Sequence, residues 1–143
     1  MIFVDSNVWC YYFDQRLPEH ENVKQTMREI IKSTQIASNT IVIMEVAHYL
    51  VRHFTQEKAK RRIDLFINLR NLAIADFNRQ EMKQTLETLT EHAYTDGLGG
   101  RDATIISTMK SQNINKLASH DETLKQIAYK LEFEVIDPAQ ATP

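Results

Sequence analysis

Residues 1–9 read MIFVDSNVW. Three apolar residues, Ile2–Val4, run straight into Asp5, Ser6 and Asn7 before apolar character resumes. A short, wholly apolar run predicts a strand buried on both faces. The carboxylate then stands at the strand's carboxyl end, and in open α/β sheets ligands bind beyond that end. Asp5 therefore either caps a following helix or marks the edge of a site.

Working outward, four more brief apolar segments read as strands: Gln35–Ser38, Leu72–Ala75, Lys116–Ala118 and Phe133–Ile136. Between them lie helical patterns. Glu19–Ser33 and Asn78–Ala93 carry spaced apolar residues, as surface helices do. Ile41–Phe54 is apolar enough to be expected inside. Gln56–Leu69 is amphipathic and basic on one side, Arg101–Gln112 follows a Gly-Gly pair, and Glu122–Leu131 precedes the last strand. Strands alternating with helices imply an α/β fold, a mostly parallel five-stranded sheet covered on both faces. We expect one domain over 1–137 with PAQATP, 138–143, as a tail. A net charge of −2 argues against gripping nucleic acid by overall charge, though not against a local basic patch. The single cysteine, Cys10, lies in the apolar run VWCYYF; it excludes an intrachain disulfide framework, suits packing, and points to a cytoplasmic location. No basic region precedes an apolar stretch at the N-terminus, and no apolar run approaches the ~18 residues of a membrane span.

Four acids stand out against this frame. Asp5 follows the first strand and Asp121, in ASHDETL, the fourth; Asp102, in DGLGGRDATII, opens the helix leading into the fourth strand. Each has a capping explanation, and for the last helix Ser119 and Glu122 form a rival capping box. Glu45, inside TIVIMEVAHYL, does not: a mid-helix carboxylate among apolar residues is costly unless it faces water, is paired, or meets a cation. If the four converge, the cluster requires raised pKa values or bound cations, and oxygen ligands favour Mg²⁺ or Mn²⁺. Mg²⁺ held by one or two carboxylates and a phosphate points to phosphate-ester chemistry.

The ordered set VDSNVW, MEVAHYL, GLGGRDATIIST and ASHDETL resembles the PIN domain, and within it the compact VapC-type toxin ribonucleases of bacterial and archaeal toxin–antitoxin modules. The resemblance covers essentially the whole chain. It implies a three-layer α/β/α fold and a Mg²⁺-dependent endoribonuclease, with Mn²⁺ as a substitute. The acids carry over as Asp5, Glu45, Asp102 and Asp121, with Asp5 and Asp102 as metal ligands. Ser6, Asn7 and Ser119 match small polar positions that would orient the carboxylates. Partners implied are an RNA substrate, an antitoxin reaching the acid pocket, and a second copy in a homodimer. Asp96 is an extra acid and His120 has no assigned role.

Segment 51–70 carries Arg52, Lys58, Lys60, Arg61, Arg62 and Arg70 against Glu57 and Asp64, a formal +4. It is a candidate RNA-facing wall or a solvated helix face. Trp9, Tyr11, Tyr12 and Phe13 suit core or an interface, or base stacking. His48 and His53 read as ordinary helix histidines. A PIN nuclease of RNA processing or decay, and a PIN-fold binding module without activity, are the alternatives. A phosphoryl-acceptor domain fits poorly, since D-S-N stands where an acidic pair is needed.

Overall fold

The computed structural model describes residues 1–140. Five strands, β1 (Ile2–Val4), β2 (Ile36–Asn39), β3 (Leu72–Ala75), β4 (Lys116–Ala118) and β5 (Glu134–Ile136), form one sheet in the order β3-β2-β1-β4-β5, and every pairing is parallel. Seven helices are found among the described residues: α1 (Ser6–Phe13), α2 (His20–Ser33), α3 (Thr40–His53), α4 (Gln56–Ile67), α5 (Arg79–Asp96), α6 (Gly100–Ser111) and α7 (Glu122–Lys130). Helices α1 to α4 pack on one another, and α5 packs on α6. This is the expected three-layer arrangement.

The strand order decides where a site belongs. The chain steps from β1 outward to β2 and β3, then returns to lay β4 on the other side of β1. Crossovers in opposite directions place helices on opposite faces, which opens a crevice at the carboxyl ends of β1 and β4. Asp5 and Ser119 are the residues that leave those two strands. Register holds them together: Val4 pairs with Ala118, and the Asp5 amide donates to the Ala118 carbonyl at 2.9 Å.

Several expectations need correction. The helix α1 was not foreseen from periodicity, because VWCYYF is apolar all round and carries no helical stripe; tertiary packing of Val8, Trp9 and Phe13 fixes it. The helix α3 does not lie inside. Val42, Val46 and Leu50, four residues apart, face the core, while Met44 and Val51 are more than half exposed. The helix is apolar on both sides but buried on one. Nor are all strands buried on both faces: β1 and β2 are, whereas edge strand β3 exposes Ala73 and Ile74. Strand β2 starts and ends one residue later than expected, and β5 starts one later. Of the expected tail, Pro138 is buried and the Ala139 carbonyl accepts from Asn22, while 141–143 lie outside the described residues.

The core runs through the sheet's centre. Ile2, Phe3, Val4, Ile36 and Leu117 from the strands meet Trp9, Met27, Leu50 and Phe66 from one layer and Ile105, Ile106 and Met109 from the other. Every residue of α6 from Asp102 to Met109 is buried. A carboxylate in its first turn is therefore carried into the interior by its neighbours. No described helix is long and apolar enough to cross a membrane.

Candidate active site

Asp5 is fully buried and serves two ends at once. Its Oδ1 accepts from the Ser6 amide at 2.6 Å, capping α1, and its Oδ2 accepts from the Ser119 hydroxyl at 2.7 Å. Ser119 in turn accepts from the Asp121 amide at 3.0 Å. The capping box expected between Ser119 and Glu122 is absent. Asp121 itself caps α7, accepting from Leu124 at 2.8 Å, because the Ser119 hydroxyl is committed to Asp5.

Glu45 projects from α3 toward the same point. The Ser6 hydroxyl lies 3.3 Å from both its Oε2 and Asp5 Oδ1, so one serine bridges two carboxylates that are 40 positions apart in sequence. Arg101 Nη1 donates to Glu45 Oε2 at 2.9 Å, and its Nε lies 3.7 Å from Asp102 Oδ1. Asp102 is not a cap. Gly99 holds that position, and Asp102 sits in the first helical turn, 8% exposed. Two buried oxygens here, Glu45 Oε1 and Asp102 Oδ1, have no hydrogen-bond partner. Unsatisfied buried acceptors are uncommon and call for an explanation.

The electrostatics follow. Burial pushes Asp102 up to about 6, aided by the charges of Asp5 and Asp121. Burial also raises Asp5, against its hydrogen bonds from Ser119 and Ser6, and raises Glu45, against Arg101. The Cys10 thiol is pushed up to about 12 by burial, with Glu45 and Asp5 adding, so it is an inert packing group. Ser6, Asn7, Glu45 and Arg101 line a cleft of about 460 Å³ that continues along α1 and α3 to Tyr11, His48, Arg52 and His53.

The other candidates divide. Asp96 ends α5 and accepts from His92 and Lys130, so it is a paired structural acid. His120 donates its backbone amide to Asn7 and holds Asp137 through its ring. Trp9 and Phe13 are buried against Phe66 and cannot stack a base. The basic segment is only partly a wall of this cleft: Arg52 lines it, whereas Arg61 and Arg62 join Lys24, Arg28 and Tyr12 around a separate hollow of about 290 Å³, with Arg62 also lying over the Phe54 ring and its Nε donating to the Phe13 carbonyl. His53 stacks on Tyr49, and its Nδ1 lies 2.9 Å from that residue's carbonyl, as an ordinary helix histidine. One supporting residue went unread. Buried Asn39 caps α3 through Val42, and its amide donates to Thr108, which ties the helix of Glu45 to the helix of Asp102. Its signal was an Asn directly before an apolar helix.

Among solved structures, the chain is similar to VapC20 of Mycobacterium tuberculosis, a sarcin-ricin loop cleaving toxin, at 17% identity and TM-score 0.75, covering 89% of this chain and 95% of that one. It is similar to VapBC2 of Rickettsia felis bound to a DNA fragment from their promoter, at 21% and 0.71, covering 96% and 98%. It is also similar to FitAcB of Neisseria gonorrhoeae, at 18% and 0.70, covering 99% and 100%. No curated protein matches the sequence. Identities this low speak for the fold alone, but the sequence itself carries the assignment further. Residues 2–130 match the PIN domain model, a span that holds Asp5, Glu45, Asp102 and Asp121, and the chain belongs to the PIN domain family.

Proposed function

We propose that this protein is a divalent-metal-dependent endoribonuclease, the toxin of a toxin–antitoxin pair. The observation that carries this reading is the meeting of Asp5, Glu45 and Asp102 beyond the carboxyl ends of β1 and β4, with two buried carboxylate oxygens that accept no hydrogen bond. Among the described residues, no three His, Cys, Asp or Glu side chains form a set that could hold an ion by themselves. A Mg²⁺ site would therefore draw its remaining ligands from water and phosphate oxygens, as that ion commonly does. The all-oxygen donor set fits Mg²⁺ or Mn²⁺.

Asp5 and Asp102 would hold the ion, with Glu45 joining directly or through water. When bound, the ion would supply an activated water and offset charge on the phosphate. Ser119 and Ser6 fix the rotamer of Asp5, so its oxygens need not reorganise as charge develops. Asp121 keeps one oxygen outside its capping bond and would orient the attacking water or hold a second ion. Asn7, bonded to the His120 amide, fixes the loop after β4. The elongated cleft with Arg101 and Arg52 at its wall suits a phosphate chain.

The sarcin-ricin loop cleaving toxin among the similar structures supports an RNA substrate, and the VapBC assemblies support a partner protein for this chain. The test is cleavage of a panel of structured RNAs with Mg²⁺ or Mn²⁺. Cutting is expected with metal and is lost with EDTA and in Asp5→Asn. Cutting that survives both would point to a different site or a contaminant.

A further inference from the structure

The one cation touching the cleft acids among the described residues is Arg101. Its position is not explained by its helix. Arg101 lies in the first turn of α6, where the macrodipole disfavours positive charge. Nor is it explained by packing, since its side chain is 52% exposed. Its bond to Glu45 is one-sided. It engages Oε2 alone and leaves Oε1 unpartnered, although a guanidinium can grip both oxygens of a carboxylate.

We infer that Arg101 alternates between two anions: it neutralises Glu45 in the cation-free protein, and when a divalent cation occupies the acids it releases Glu45 and holds a phosphate of the RNA. The inference rests on the reading that the acids bind a divalent ion. Two cations near one carboxylate weaken each other's hold, and linkage makes the effect reciprocal. The released guanidinium stays at the wall of the cleft that Ser6 and Asn7 also line, where its planar fork matches a phosphate. Arg101 thus serves as a placeholder that keeps the cluster tolerable without metal and becomes a substrate contact with it.

The two roles give effects of opposite sign. Mn²⁺ affinity is measured by calorimetry, and binding of a labelled mixed-sequence single-stranded RNA by anisotropy in EDTA and in Mn²⁺, with RNA integrity checked on gels. Arg101→Met is expected to bind Mn²⁺ about threefold to fivefold more tightly, as removal of a partly exposed ion pair allows. In EDTA the variant and wild type should bind RNA alike. In Mn²⁺ the variant should bind more weakly, with its log–log salt slope shallower by about 0.7, one phosphate contact on a single strand. Arg101→Lys, which keeps the charge but not the fork, should restore the salt slope and the wild-type Mn²⁺ affinity while regaining only part of the RNA affinity. Equal or weaker Mn²⁺ binding by Arg101→Met, beside a wild type that binds Mn²⁺, overturns the inference and leaves the nuclease reading standing. An unchanged RNA salt slope in Mn²⁺ does the same. A wild type that binds no Mn²⁺ overturns both.

Discussion

Two groups of buried and half-buried acids sit in this domain and behave in opposite ways. Asp14, Asp96 and Asp137 are each gripped by cations. Arg16 clamps Asp14, with Tyr49 donating as well; Lys130 and His92 hold Asp96; Lys125 and His120 hold Asp137. Arg16 holds the Asp14 carboxyl below the usual range and Lys130 does so for Asp96, while Asp137 stays low against the cost of its burial through Lys125 and His120. Asp5, Glu45 and Asp102 are raised by burial and share one arginine. The first group is complete as folded. The second is left with unmatched charge, the condition that the proposed metal site requires.

The comparison breaks or sharpens under substitution. The largest effect is expected from Asp5→Asn. Its amide oxygen can still cap α1, so circular dichroism should show a folded protein, while cleavage of any RNA that wild type cuts falls on the order of 10³-fold. Next comes Lys125→Met, in the paired group. It leaves the Asp137 carboxylate with only His120 and the Ala139 amide and should lower unfolding stability by about 2 kcal/mol in urea titration. An unchanged midpoint would mean that the pairing is not what separates the groups. Ser119→Ala removes the donor on Asp5 Oδ2, and Mn²⁺ affinity should fall about tenfold.

The smallest effect concerns pH. The Asp102 carboxyl titrates at about 6 when folded, above its ordinary 3.8, so the folded chain holds that proton more tightly than the unfolded one. Its contribution therefore favours the metal-free fold as pH drops from above 6 toward 4, and that gain is lost as pH rises through 6. Asp102→Asn should abolish this component and stabilise the metal-free protein at pH 7.5 by on the order of 1 kcal/mol. Thermal melts of both proteins across pH 4.5–7.5 check it. A difference between them that does not change with pH would show that Asp102 is already matched.

By itself, the sequence determined the alternation of strands and helices and the three acids at their ends, Asp5, Asp102 and Asp121, because short apolar runs and carboxylates beside them are local patterns. The mid-helix Glu45 was legible for the same reason: no local role accounts for a carboxylate between Met44 and Val46. Tertiary structure alone decided the rest. The apolar run of α1 has no period, so only packing on Phe66 and the sheet shows it to be a helix. The apolarity of α3 said nothing about which half would be covered. Asp96 and Asp102 look alike in sequence, and only the placement of Lys130 beside one, and of Arg101 and the buried turn of α6 beside the other, sets them apart. A residue's type is local, but whether its charge is answered depends on chain segments that meet only on folding.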